Sequence, residues 1–158
     1  MEPRILEIKA VGIPEEELKM PRRQHTADVG ADVFVPKDTI CKAKSVTRIP
    51  LCFSVAVPEG YGAFVFPRSG KSSKGLETLL PPIDPGYTDS ITAIVANLTD
   101  EDKEVKKGEA IGQLVILPVV LAEYRLTDKN GRTLHNTIED EKIPSVERRT
   151  GGFGSTGN

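Results

Sequence analysis

The stretch "VPEGYGAFVFPRSG" (57–70) runs through a turn, a strand and a corner in quick succession. Pro58, Gly60 and Gly62 punctuate its start, so "PEGYG" (58–62) reads as a turn. Ala63 to Phe66 is apolar and short, which suits a buried strand. Pro67 closes that run and hands over to Arg68, Ser69 and Gly70, which carry a fixed-fork guanidinium, a hydroxyl and a permissive backbone. Outward from here the pattern repeats. Val33 to Val35, Ser45 to Ile49, Cys52 to Val57 and Ile91 to Leu98 are strand-like, as is Ile111 to Leu121, where Pro118 predicts an edge or a bulge. Gly108 marks a turn, and Asn130-Gly131 within "TDKNGRT" (127–133) predicts a hairpin. Helix is expected only in small pieces, such as one or two turns over "PEEELKM" (14–20). Many short strands cut by Gly, Pro, Asn and Asp imply an all-β sandwich or barrel.

At 158 residues the chain is expected to be one domain with its own core. A net charge of -2 argues against a general nucleic-acid or membrane-surface binder. No apolar run approaches membrane-spanning length, and no signal pattern is evident at the start, so a cytoplasmic protein is expected. Cys41 and Cys52 lack metal-ligand spacing and read as buried free thiols in a reducing compartment. His25 and His135 have no nucleophile context and are read as surface or hydrogen-bonded residues.

Four segments carry chemistry. In "DVGADVFVP" (28–36), Asp32 interrupts a strand just after Gly30; it is a turn cap or a carboxylate with partners, since burial without them is costly. In "PRSGKSSKG" (67–75), Arg68, Ser69 and Gly70 suit a phosphate, although a solvated basic loop has the same composition. In "LPPIDPGYTD" (80–89), Asp84 and Tyr87 are stiffened by prolines and a glycine. That carboxylate can serve as a general base if a water is held beside it. In "KGEAIGQLVI" (107–116), Gln113 either satisfies the core or reaches a ligand. Finally, Gly152, Gly154 and Gly157 match G-x-G-x-x-G, but no helix follows to complete a dinucleotide turn and no lysine follows to make a P-loop.

Taken in order, the strand aspartate, "PRSG", "IDPGY", "GQL" and "GGFGSTG" resemble the five motifs of the trimeric dUTP pyrophosphatases, the dUTPases. The resemblance covers nearly the whole chain. It implies a distorted jelly-roll of β-sandwich type, in a homotrimer, over residues 1–147, with 148–158 as a mobile lid. It also implies hydrolysis of dUTP to dUMP and pyrophosphate with Mg2+ bound to the triphosphate. By resemblance, Asp84 activates the water that attacks the α-phosphorus, and Asp32 supports the metal through water. Ser69, with Gly70, contacts the phosphates; Arg68 braces the site; Gln113 reaches the phosphates; and Tyr87 stacks below the deoxyribose. A neighbouring subunit supplies the tail, in which Phe153 stacks on uracil, Gly154 lets the backbone wrap, Ser155 and Thr156 hold the γ-phosphate, and Arg148 pairs with it. Base choice falls to backbone groups between Lys74 and Ile91.

The chain departs from the family pattern at several places. Pro81 and Asp89 stand where the family has glycine, both in the base-reading hairpin. Ala110 replaces a common arginine, Arg149 a common glycine, and Pro50-Leu51-Cys52 the usual Pro-Thr-Gly, read as a packing change. An insertion over about 127–142 resembles those of some phage dUTPases, which implies a phage or viral source and a protein partner. Two alternatives stay open. A dCTP deaminase shares the fold and an I-D-P-G-aromatic turn, and a nucleotide-switched regulator would act through the insertion.

Overall fold

A computed structural model describes residues 5–136. Arg148, Phe153, Gly154, Ser155 and Thr156, and the 137–142 part of the predicted insertion, lie outside the described residues. Within them the strands are β1 (Ile8–Ala10), β2 (Ala31–Phe34), β3 (Thr39–Cys41), β4 (Val46–Pro50), β5 (Phe53–Val55), β6 (Tyr61–Phe66), β7 (Leu76–Leu79), β8 (Thr92–Asn97), β9 (Lys103–Val105), β10 (Ala110–Pro118), β11 (Arg125–Thr127) and β12 (Thr133–Asn136). The predicted helix over 14–20 shrinks to a 3-10 turn at Glu15–Glu17 with no buried residue, because three exposed glutamates give a helix nothing to pack against. A single helical turn, α1 (Ser69–Ser72), was not anticipated by the strand pattern. The protein is therefore nearly all β. No helix among the described residues is long and apolar enough to cross a membrane.

Among the described residues all strand pairings are antiparallel. Two three-stranded sheets, β2-β10-β6 and β4-β8-β7, carry most of the structure, and β1-β5, β3-β9 and β11-β12 form pairs. Strand β8 shows why the sequence folds this way. Ala93, Val95 and Asn97 are buried while Thr92, Ile94 and Ala96 are half-exposed, the two-residue period of a half-covered sheet. One core collects Val33, Val65, Ile111, Val95, Phe53 and Val105 from six strands. Burying each such side chain contributes about 1.5–3 kcal/mol. Asn97 is the polar exception: its amide donates to Cys41 O and Glu101 O at 2.8 Å, and its oxygen accepts from Thr99.

Strand β10 passes close to its neighbours because Gly112 lacks a side chain. A Cβ there would meet Val65 Cγ1 at 2.7 Å and the Phe66 carbonyl at 3.0 Å. The irregularity expected at Pro118 lies elsewhere. The register shifts between Ala110 and Gly112, while Pro118 ends β10 opposite Tyr61, where a missing N–H disturbs little of the ladder. Cys52 is also not in a strand. It sits in the left-handed region (φ 61°) between β4 and β5, half-buried, with its N–H bonded to Ser90 Oγ. The replaced Pro-Thr-Gly is thus a matter of backbone conformation, costing about 1–2 kcal/mol relative to glycine. Both cysteines are free, and only Cys41 is fully buried. The Asn130-Gly131 hairpin is present, with Gly131 at φ 83° and Asp128 Oδ1 accepting from Asn130 and Arg132 N–H.

Helix α1 is tied to the β9–β10 turn by Lys71 Nζ and Glu109 Oε2, 2.8 Å apart. The Lys71 hydrogen bond, helped by the Lys106 N–H and the Lys71 and Lys74 charges, holds the Glu109 carboxyl below the usual glutamate range. A depressed carboxyl contributes stability above its unfolded value, near about 4.3, and loses it as pH falls through the folded value. Melting temperatures followed from pH 6 to 3 should therefore show Glu109→Gln below wild type at pH 6, the gap closing below about pH 4. The gap should be modest, since the carboxylate is partly solvated.

Candidate active site

Asp32 is on β2 with 7% of its surface exposed. Burying a carboxylate requires donors, and two are present. Arg68 Nε lies 2.9 Å from Oδ1, and Gln24 Nε2 lies 3.1 Å from Oδ2. The Asp32 backbone exchanges both its bonds with Arg22, which pulls the 22–24 segment over the strand. Across β10, Gln113 pairs with Asp32 on one side and Phe66 on the other. Its Nε2 donates to Pro67 O at 2.9 Å. The predicted choice between core and ligand is met by an amide braced on the backbone at the wall of a cleft.

That cleft, of about 480 Å³, is lined by Gln24, Asp28, Val29, Gly30, Asp32, Arg68, Ser69, Gly70 and Gln113. Ser69 and Gly70 are exposed in the first turn of α1, where amides have no intrahelical acceptor. Arg68 uses Nε on Asp32, which leaves its terminal nitrogens as donors for an anion. The loop that closes one side is held by Arg23 Nε to Asp28 O and by Asp28 Oδ2 to the His25 N–H. His25 itself is a surface partner of Asp28, and His135 lies exposed on β12.

Asp84 and Tyr87 are elsewhere. Ile83 bridges Ala63 through both backbone bonds, on the edge of β6 away from β10. Asp32 and Ile83 are thus separated by three strand spacings, about 14 Å, and Ala63 is a further ~10 Å along β6 from Phe66. The turn after Ile83 is closed by Tyr87 N to Asp84 O, with Gly86 at φ 83°. Asp84 is exposed. Tyr87 is half-buried, its hydroxyl donating to Ser90 O at 3.0 Å, and burial followed by the Asp89 charge pushes its phenol upward. The structure therefore brings Asp32, Arg68, Ser69, Gly70 and Gln113 together, and holds Asp84 and Tyr87 on another edge of the chain.

Gln24 and the role of Gly30 escape sequence reading. A Cβ at Gly30 would lie 2.7 Å from both Cβ and Cγ of Gln113, so the glycine makes room for the amide. The only sequence signal was a glycine two positions before a strand aspartate; Gln24 gave none, because its partner is met only after folding. Among the described residues no group of three His, Cys, Asp or Glu could hold a metal directly. Asp28 and Asp32 are the two carboxylates lining the cleft; Asp28 is engaged by His25, and each oxygen of Asp32 keeps acceptor capacity beyond its protein partner.

These features define a nearly all-β protein with a cleft at the end of β6 in which Arg68 meets the buried Asp32. A dUTPase family model matches residues 16–157. The "Deoxyuridine 5'-triphosphate nucleotidohydrolase" of Leifsonia xyli subsp. xyli is 34% identical, with 93% of this chain and 91% of that protein covered. That of Clostridium tetani is 34% identical over 90% of this chain and 92% of its own. Among solved structures, Staphylococcus bacteriophage 80alpha dUTPase, with dUpNHpp, is 26% identical with a TM-score of 0.69, over 80% of this chain and 98% of that one. The chain belongs to the dUTPase family.

Gly30→Ala should displace Gln113 from Pro67 and weaken dUpNHpp binding about tenfold, equivalent to about 1.4 kcal/mol. Isothermal titration calorimetry measures this; unchanged affinity would show that Gln113 has room to spare.

Proposed function

We propose that the chain hydrolyses dUTP to dUMP and pyrophosphate at a site that two chains build and the carboxyl-terminal segment of a chain completes. The observation that carries the reading is the family membership joined to the cleft of Asp32, Arg68, Ser69, Gly70 and Gln113. In it, Ser69 and Gln113 hold the phosphate chain, and Arg68 keeps Asp32 in place while its terminal nitrogens face the anion. Asp84 takes the proton of the attacking water at the α-phosphorus. Tyr87 lies flat beneath the deoxyribose, its hydroxyl already spent on Ser90 O. Arg148, Phe153, Gly154, Ser155 and Thr156 close over the nucleotide, excluding water from the charge contacts.

Mg2+ fits this donor set as a guest of the triphosphate. Asp32 would hold it through water, since one carboxylate plus phosphates and waters is a common magnesium environment. When bound, Mg2+ would neutralise the phosphate charge that the chain's own cations meet only in part. Uracil would be read by backbone groups between Lys74 and Ile91. Asp89, which caps the Ser90 N–H, takes the place of a family glycine there.

The distance between Asp84 and Asp32 in one chain supports a site shared between chains, and a homotrimer is the assembly that fits. Val120, Leu121 and Tyr124, each at least 71% exposed after β10, are apolar surface that a neighbouring copy would cover. A distorted jelly-roll describes the barrel we propose each copy to form. Free thiols suit a cytoplasmic, reducing setting. The exposed hairpin β11-β12 favours a second role, since Leu126 and Leu134 lie open upon it. The 80alpha dUTPase is among phage dUTPases said to control transfer of virulence genes by a G protein-like mechanism. A protein partner at about 127–142, in a phage-encoded enzyme, is the corresponding role here.

Following pyrophosphate and ammonia separately with dUTP and dCTP tests the reaction; ammonia from dCTP would point to a deaminase instead. Asp84→Asn should keep dUpNHpp affinity and lose turnover by about 10²–10⁴-fold. Mixing unfolded Asp84→Asn and Arg68→Ala chains and refolding them together should restore up to about a quarter of wild-type turnover, because a symmetric oligomer then contains some sites with both native residues. No recovery from variants that each refold alone to the wild-type assembly would place the whole site within one chain.

A further inference from the structure

We propose that Lys71 and Glu109 form a positioning pair that sets the Ser69–Gly70 corner for turnover, although neither side chain lines the cleft. The inference rests on the reading of that cleft as the phosphate end of the dUTP site.

The corner is tied on both sides. Before it, Gln113 holds Pro67 O and Asp32 holds Arg68. After it, Ser73 Oγ donates to Gly70 O within the turn, and the side-chain tie to the rest of the fold is Lys71 Nζ on Glu109 Oε2 at 2.8 Å. Helix α1 has four residues and cannot sustain itself without tertiary support. Its internal bonds, such as Lys71 N to Arg68 O, cross the corner without fixing where the turn points. Lys71 is only 16% exposed, against 69% for Lys42 and 59% for Lys106, so its ammonium is committed to this one carboxylate. Removing Glu109 leaves the Lys71 ammonium in poor solvent, and the helix would move to rehydrate it; removing Lys71 frees the helix from its tie to the β9–β10 turn.

Glu109 is a rigid counterpart. Its N–H donates to Lys106 O, its carbonyl accepts from Val35 N, and its Oε1 accepts from Lys106 N at 3.1 Å. The irregularity between Ala110 and Gly112 separates Glu109 from Gln113, and both reach the same corner from one segment. One grips before Arg68 and one after Gly70. A small rotation of α1 would carry Ser69 off the phosphates, and displacements near 1 Å can cost up to about 10²-fold in rate.

Lys71→Met, Glu109→Gln, Lys71→Arg and the exchange Lys71→Glu/Glu109→Lys should be compared with wild type in kcat and KM for dUTP and in melting temperature. Wild-type turnover reads the functional proposal; the ratio of each variant to wild type reads the pair. With positioning, Lys71→Met and Glu109→Gln each lower kcat/KM by about tenfold, chiefly through kcat, and the exchange recovers to within about threefold of wild type. If the exchange does not fold, Lys71→Arg decides, retaining most turnover where Lys71→Met loses it. Single variants that melt lower but turn over normally would reduce the pair to a structural brace and overturn the proposal. An exchange, or a Lys71→Arg protein, that folds like wild type yet is as slow as Lys71→Met would overturn it too.

Discussion

A carboxylate exposed over 7% of its surface, as Asp32 is, needs strong donors in fixed places. Arg68 Nε supplies one and Gln24 Nε2 the other. Arg68 begins the corner after β6, while Asp32 is inside β2, and β10 lies between the two strands. The ion pair therefore spans the width of a three-stranded sheet. It can form only if β6 stops at Pro67, so that the next residue can reach across the end of β10. The position of Ser69 and Gly70 follows from that reach. Loss of Arg68 would leave a buried carboxylate with a single amide donor, a change that typically costs about 3–5 kcal/mol in comparable buried pairs.

The same geometry explains the glycines. With β10 paired on both sides, its residues pack beside those of β2 and β6 on each face of the sheet. Gly112 lets the backbone pass Val65 and Phe66 O, and Gly30 leaves the space that Gln113 fills. Gly112 and Gln113 are adjacent, so one strand position is emptied for packing and the next carries the amide that holds Pro67 O. The register shift just before Gly112 is the adjustment that permits both.

Much of this was legible in the sequence, for physical reasons that differ by residue. Asp32 stood out because a charge inside an apolar strand is costly, Arg68, Ser69 and Gly70 because a fixed fork, a hydroxyl and a permissive backbone together suit a phosphate, and Gln113 because an amide inside an apolar strand needs a partner. The alternation in Ile91 to Leu98 gave β8, yet the role of Asn97 as a four-bond hub was hidden, since its partners at Cys41, Thr99 and Glu101 are assembled only by folding. Short strands such as β1, β3 and β9 have too few residues to show a period. Cys52 looked like strand because its neighbours are apolar, but a positive φ leaves no mark in hydrophobicity. Pro118 was read as an irregularity because proline breaks ladders; as the last residue of β10 it breaks almost nothing. Gln24, Lys71 and Glu109 carry no local signal at all. Their meaning lies in pairings across the fold.

The separation of Asp84 from Asp32 has an electrostatic consequence. Two carboxylates about 4 Å apart at an effective dielectric of 20 repel by about 4 kcal/mol, whereas charges further apart than the ~8 Å screening length barely interact. At strand-spacing distances of about 14 Å or more, each carboxylate in a single chain is free of the other. If a second chain brings its Asp84 to the cleft of the first, that repulsion returns on assembly and adds to the charge of an arriving triphosphate. The arrangement is tolerable only with compensating cations, which is where Arg68, a metal carried by the substrate and a basic closing segment would act together. Such a site would carry uncompensated negative charge when empty. It would become tightly held only when nucleotide and counter-charge enter as one, so that selectivity for a complete triphosphate would follow from charge balance before any contact to the base is made.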